Sequence, residues 1–557
     1  MYNPHKKGYL GLIPSVLGVL LMISFLCPSI TSHPVSNNST ISFPPADPDE
    51  NDLQVLQDII NLNGLNIDPL DLGIQYWSDE RLVHLDIDGN YELFELPDSI
   101  QNLDMLLEFH LDGNDLSSVP LTIFEMSSLG NLSLRSNQLN SLPPIEEINP
   151  TLSGLDLAYN NLSLLPDSIH FLTALFILDA SHNQLNQLPS SITQLSQLHS
   201  IYLSDNNLPD LPEYISGMTG LRWLYAADNE ITEIPISLFD IHELQILDIS
   251  ANQITILPDH FDDTPNLLEF HCSDNQIETL PTTFISLVNL FRLDISNNLI
   301  STLPVGFADL VQLSYLDASS NSIAEFPNNL ENLTALNYFL FDDNMISELP
   351  AGMMELPLRK LTLADNLITE IPLEITNLSE LQILDLSGNP ISSIPADLGN
   401  NTMLTDLKIS NALLTQLPYE IGNLINLSLL DISNNQITSL PETIGNLSSI
   451  QVMDISDNFL IDLPLTFENL ESMWILYLNN NSLYCFEGVQ DTDIIPDFLL
   501  TTGNLWISGL YEQDCSIAGC TDPIAFNYQP DMVVDDGSCY YIASGDVNFD
   551  QILNVLD

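Results

Sequence analysis

Positive charge is what this sequence has least of: 9 Lys and Arg stand against 76 Asp and Glu in 557 residues, a formal net charge of −67. Two of the nine, Lys6 and Lys7, lie in the N-terminal segment, which leaves seven for the rest of the chain. So acidic a chain repels phosphate backbones and anionic lipid, and nucleic acid is excluded as a partner. Catalytic signatures are also missing. There is no Gly-x-Ser-x-Gly, no His-Glu-x-x-His and no phosphate loop, and none of the ten histidines sits beside a fixed nucleophile. The expectation is a protein that is not an enzyme. After the N-terminal segment no apolar run is long enough to cross a membrane. Disorder is excluded for most of the chain, because hydrophobic residues make up 45% of it and aromatics 8%.

Residues 1–32 contain no acidic residue. His5, Lys6 and Lys7 precede an apolar run of 17 residues from Leu10 to Leu26, and Ile30-Thr31-Ser32 offers a small residue for cleavage. That order predicts a secretory signal over 1–32 and a secreted or cell-surface location. An uncleaved anchor is disfavoured, because a span needs about 20 residues. Lipidation at Cys27 is disfavoured by the bulk of Leu26. Residues 33–50, rich in Pro, Ser, Asn and Asp, read as a flexible linker.

One period dominates the remainder. The phrase LDISANQITILP recurs with small changes, and its Asn gives the anchors Asn90, Asn114, Asn137, Asn160, Asn183, Asn206, Asn229, Asn252, Asn275, Asn298, Asn321, Asn344, Asn366, Asn389, Asn435, Asn458 and Asn481. Ala412 takes the place of one anchor, with Asn411 beside it, so the units number 18. The spacing is 23 apart from one 24 and one 22. A Pro follows six residues after sixteen of the anchors, from Pro120 to Pro464, and seven after the first, at Pro97. Alternation over Leu247-Asp248-Ile249 has strand period, so each unit opens with a short parallel strand. A single unit cannot bury its apolar face, whereas stacked units bury a continuous core. Each anchor Asn is expected to bond free backbone groups in the turn after its strand, forming a ladder. Each Pro suits an extended segment whose N–H needs no partner.

The chain thus resembles exported bacterial leucine-rich repeat proteins with 23-residue units, across residues 82–486. The resemblance implies an α/β solenoid with its parallel sheet on the concave face and an irregular or 3-10 convex side. Caps are expected at 51–81, where Leu53, Leu56, Ile59 and Ile60 have helical spacing and Trp77 precedes the first strand, and at 487–519.

Of the six cysteines, Cys272 falls on an apolar strand position and reads as a buried free thiol. Cys485, Cys515, Cys520 and Cys539 allow three pairings. The preferred reading pairs Cys485 with Cys515 in the C-terminal cap and Cys520 with Cys539 around a small module, which an exported protein permits. Gly519 to Cys539 resembles a cysteine-bounded module of exported bacterial proteins, here GCTDPIAFNYQPDMVVDDGSC, with 519–541 as its extent. Asp522, Asn527, Asp531, Asp535 and Asp536 offer oxygen ligands there, though a disulfide-closed spacer is the plainer reading. Residues 545–557 place Asp546, Asn548, Asp550, Asn554 and Asp557 at positions 1, 3, 5, 9 and 12 of a calcium loop. This resembles half of a type I dockerin repeat, which implies Ca²⁺ and docking in a polysaccharide-degrading assembly. Gln551 occupies the usual glycine position, and the loop reaches position 12 only at Asp557, so the sequence is expected to be truncated there, short of a docking pair.

In this repeat the residues flanking the strand leucines face the concave side. Nine of the eighteen positions four before the anchor are Asp: Asp86, Asp156, Asp179, Asp248, Asp294, Asp317, Asp385, Asp431 and Asp454. The plain reading is a solvated acidic face. Two groups depart from it. Tyr202, Trp223 and Tyr225, extended by Glu269, His271, Arg292, Tyr315 and Tyr338, suit a protein or glycan partner. His84, Asp86 and Asp88 on one strand, with Glu108, His110 and Asp112 on the next, form a candidate cation site. The resulting expectation is an exported, monomeric binding or adhesion protein. A dockerin-tethered component and a structural surface spacer are the alternatives.

Overall fold

The computed structural model describes residues 47–461 and 463–481, with three short strands at 506–508, 518–519 and 534–535. The signal, most of the linker, Cys485, Cys515, Cys520, Cys539 and the five residues of the calcium loop lie outside the described residues. The described chain forms two compact units, Met1–Asn160 with Phe171–Leu175, and Asn161–His170 with Phe176–Asp557.

The first unit begins with helix α1, Glu50–Leu62. Asp49 caps it, its carboxylate accepting from the N–H groups of Asn51 and Asp52. Val55, Leu56, Ile59 and Ile60 are buried, whereas Leu53 is only half-buried; the inward face is turned so that Asp52 is buried in its place. Asp52 is held there by Arg81, which donates from Nε and Nη2 at 3.0 Å each, and by the Leu82 N–H at 2.8 Å. Arg81 also pairs with Asp104. A buried carboxylate persists only with such partners. Strand β1, Ile74–Ser78, runs antiparallel to β2, Arg81–Asp86, an element the repeat pattern did not announce. Then β2 pairs in parallel with β3, Glu108–His110, followed by β4, Asn131–Ser133, and β5, Gly154–Asp156.

The second unit carries β6, Ile177–Asp179; β7, Ser200–Tyr202; β8, Trp223–Tyr225; β9, Ile246–Asp248; β10, Glu269–His271; β11, Arg292–Asp294; β12, Tyr315–Asp317; and β13, Tyr338–Leu340. The series continues in the same parallel register to β19, Ile475–Tyr477, and the backbone of β20, Trp506–Ser508, pairs with β19. Each strand from β6 to β19 has three residues, the middle one buried and its neighbours nearly always half-exposed. Leu247, Ile249, Ile254 and Leu257 of one unit are all buried, as the periodicity requires.

A turn after each strand lets the chain leave the sheet. The residue before the anchor is left-handed there, with φ of 57° at Asp205, 51° at Asp228, 54° at Asp274 and 51° at Asn297. Asp and Asn tolerate that region best among non-glycine residues. The anchor itself is buried and acts as predicted. Asn252 Nδ2 donates to Ala226 O, Ile249 O and Ser250 O, each at 3.0 Å, while its Oδ1 accepts from Ile231 N at 2.9 Å. Equivalent bonds recur at Asn206, Asn275, Asn298, Asn344 and Asn458. Asn90 does not join the ladder. It is exposed and bonds Asp88, because the 24-residue first spacing inserts a separate 3-10 turn at Gly89–Tyr91.

Most of these Pro residues precede a 3-10 segment, as at Pro372 with φ −67° and ψ 151°, whereas the unit of Pro143 has none. The missing N–H is harmless there. Late in the unit these segments pack closely enough to require glycine: a Cβ on Gly422 would meet Thr443 O at 2.2 Å. Cys272 is a fully buried free thiol, as its strand position implied, and burial holds it well above the usual thiol range.

Candidate functional site

The sheet register decides which side chains meet. Residues at the same strand position stack in columns, so Trp223 lies opposite Ser200 and Ile246, and Tyr225 opposite Tyr202 and Asp248. The eight residues singled out from the sequence all lie on the outward face of the second unit, in two clusters.

The first cluster spans β7 and β8. Tyr202 and Tyr225 stack with centroids 5.0 Å apart and planes 6° from parallel. Trp223 meets His199 edge-on at 5.0 Å, and His199 stacks on Phe176 at 4.7 Å. His199 and Phe176 were not foreseen. They precede their strands by one residue, a position that the leucine pattern leaves unmarked. Burial, with a smaller contribution from Arg222, lowers the His199 pKa and favours the neutral ring. Burial pushes the Tyr202 phenol up to about 12 and the Tyr225 phenol higher still, so both stay neutral and keep their donors.

The second cluster spans β10 to β13. Glu269 and His271 approach to 3.4 Å, and that hydrogen bond keeps the Glu269 carboxyl below its ordinary range. Arg292 lies over the Tyr315 ring, 3.8 Å from its centroid, and Tyr315 meets Tyr338 at 5.9 Å. The guanidinium is thereby presented flat, with its aromatic support already formed. Tyr338 is the most open of these residues, 41% exposed. Strand β9, with Ile246 and Asp248, separates the two clusters, so the single patch read from the sequence resolves into two.

The aspartate column is more than a solvated face. Asp179, Asp248, Asp294, Asp431 and Asp454 each accept, through Oδ1, from the N–H and the hydroxyl of a serine two residues on. They fasten the turn that leaves the sheet. Crowding has a cost. Burial and the neighbouring Asp294 push the Asp317 carboxyl up to about 6.

The N-terminal candidate is reduced by the structure. Asp88 is committed to Asn90, and Asp112 to the Ser133 hydroxyl and the Arg135 N–H. His84, Asp86 and His110 remain close together, with Glu108 bonded to His84.

Short parallel strands, left-handed turns, an asparagine ladder and 3-10 returns define a repeat solenoid whose exposed sheet face is a preformed surface. The comparisons specify the class. Residues 265–323 and 425–483 match the leucine rich repeat model, and residues 358–400 match the model for two copies of the repeat. A solved leucine-rich repeat protein of Leptospira interrogans is 31% identical, with a TM-score of 0.57 over 67% of this chain and 90% of that one. The chain belongs to the leucine-rich repeat family. The ectodomain of the Arabidopsis thaliana receptor kinase GASSHO1/SCHENGEN3, solved with CASPARIAN STRIP INTEGRITY FACTOR 2, shares the fold at 24% identity and TM-score 0.59, over 76% of this chain and 59% of that one. The plant peptide hormone receptor RGFR1, solved with RGF2, shares it at 24% identity and TM-score 0.54, over 76% and 80%. Among curated proteins no sequence matches. No described helix is long and apolar enough to cross a membrane.

Proposed function

We propose that this chain is an exported, non-enzymatic binding protein that holds an extended cationic peptide segment of a partner protein across β7 to β13. The observation that carries the reading is the preformed pair of aromatic clusters on an acidic sheet face. Tyr202 with Tyr225, and Trp223 with His199, are already packed, so little rotamer freedom is lost on binding. The acidic column beside them favours Lys and Arg on the partner and speeds encounter at low salt. The plant peptide hormone receptor RGFR1, solved with RGF2, shares the fold and supports the choice of a peptide class. A glycan is the competing ligand, since neutral phenol and indole faces also suit sugar rings.

The test is a binding screen of the full chain against Lys/Arg-containing peptides and a neutral glycan array. Trp223→Ala with Tyr225→Ala should then weaken the confirmed ligand at least about 30-fold, the scale of a hot spot. Affinity unchanged by that pair, or insensitive to salt for a peptide, contradicts the reading. The C-terminal calcium loop and the export signal belong to the same proposal. Thermal unfolding of residues 33–557 in Ca²⁺ and in EDTA tests the loop, and a midpoint unaffected by EDTA removes calcium from it.

A further inference from the structure

A second chemistry lies at the start of the sheet, in the first unit. Strands β2 and β3 pair so that His84 faces Glu108 and Asp86 faces His110. His84 and Asp86 are two residues apart and share the outward face. One ligand atom from each of His84, Asp86 and His110 lies within 4.8 Å of the other two, and all three side chains are half-buried. The two imidazoles meet edge-on at 5.3 Å, and the Tyr76 ring from β1 packs on His84 at 4.9 Å.

We propose that His84, Asp86 and His110 form a binding site for a late first-row divalent metal such as Zn²⁺, with Glu108 as the group that orients His84. Two imidazoles and one carboxylate make a nitrogen-rich set. Zn²⁺ and its neighbours prefer it, whereas Ca²⁺ and Mg²⁺ demand oxygen. Tetrahedral Zn²⁺ with bonds near 2.1 Å sets its ligand atoms about 3.4 Å apart, so the trio must contract by at most about 1.4 Å, within reach of side-chain rotation.

Glu108 supplies the independent sign of a built site. Its Oε2 lies 2.9 Å from His84 Nδ1. An ionised carboxylate only accepts, so Nδ1 carries the proton and Nε2 keeps its lone pair for a metal. The remaining carboxylates of the cluster, Asp88 and Asp112, are occupied by turn hydrogen bonds, so the ligand set stops at three and leaves a fourth position for water or a partner's side chain. The strong net negative charge raises the local concentration of any cation.

The experiment is calorimetric titration of ZnCl₂ into the full chain, free of a histidine tag, in excess Ca²⁺ that saturates oxygen-only sites. Co²⁺ serves as the spectroscopic probe. One Zn²⁺ per chain is expected to disappear in the His84→Ala/His110→Ala double variant, whose fold is checked by circular dichroism. Asp86→Asn, which keeps the shape of the side chain, should weaken binding at least tenfold even if the double variant fails to fold. Glu108→Gln should weaken it about 10- to 100-fold while the stoichiometry stays the same. Co²⁺ at this site should give visible tetrahedral bands without the near-ultraviolet charge transfer of thiolate ligands. The proposal is overturned if Zn²⁺ does not bind in excess Ca²⁺, if its affinity is unmoved by Asp86→Asn, or if the stoichiometry survives in a folded double variant.

Discussion

Asn252→Ala isolates one rung of the ladder. The side chain makes four hydrogen bonds and is 8% exposed. None of its three acceptors is left without a donor. Ala226 O still accepts from Asn229, Ile249 O from Asn275, and Ser250 O from the Asp228 N–H. Ile231 N–H loses the acceptor that the side chain supplied. A buried N–H left alone costs about 1–3 kcal/mol, and the weakened second bonds to the carbonyls bring the total to about 2–4 kcal/mol. Asn252→Asp is the sharper probe. It keeps an acceptor for Ile231 but replaces three donated bonds with a carboxylate facing three carbonyl oxygens. It should therefore be worse than Ala at pH 7 and recover as the pH falls and the carboxylate protonates. Guanidinium unfolding followed by far-ultraviolet circular dichroism measures both variants, and repeat proteins call for a nearest-neighbour fit rather than a two-state one. An Ala variant costing less than about 1 kcal/mol, or an Asp variant milder than Ala at neutral pH, refutes the ladder as the source of stability.

Where Ala412 replaces the anchor, Ile391 N–H turns back to Asn389 O at 2.8 Å around Pro390, a tight turn that a fixed proline φ favours. Ala412→Asn with Pro390→Gln should restore the rung and stabilise by about 1–2 kcal/mol, read from the same denaturation curves; a lower midpoint contradicts it. Arg81→Leu strands the buried Asp52 carboxylate and should cost about 3–5 kcal/mol, with the loss concentrated in the first unit's transition. Asp317 titrates near 6 in the folded chain against 3.8 in the unfolded one. The folded state therefore holds this proton more tightly, and the stability it confers is full below pH 3.8 and lost as the pH rises through 6. Asp317→Asn keeps the acceptor that Asp317 Oδ1 offers the Ser319 N–H at 3.0 Å, and it should stabilise by about 1–3 kcal/mol at pH 7 but hardly at pH 4, as thermal melts at the two pH values will show.

The repeat was legible because its physics is local in sequence. A period of 23, leucines on alternate strand positions and an anchoring Asn force parallel strands into register, and the structure has that register at every described pair in the second unit. The helical cap was visible for the same reason, although the turn of α1 that buries Asp52 was not, since its partner Arg81 lies 29 residues away. The left-handed residue before each anchor was hidden, because Asp, Asn, Ser and Ala all serve there.

At the sites the division is sharper. Sequence alone placed Tyr202, Tyr225, Trp223 and the rest on one face, because strand period fixes direction. It did not show that β9 splits them, or that His199 and Phe176 complete the first cluster. It supplied six metal-type side chains near the N-terminal end, and tertiary structure kept three by engaging Asp88 and Asp112 in turns and Glu108 with His84. Periodicity determines which way a side chain points, whereas its partner depends on what the neighbouring repeat places beside it, and that is decided only when the strands stack.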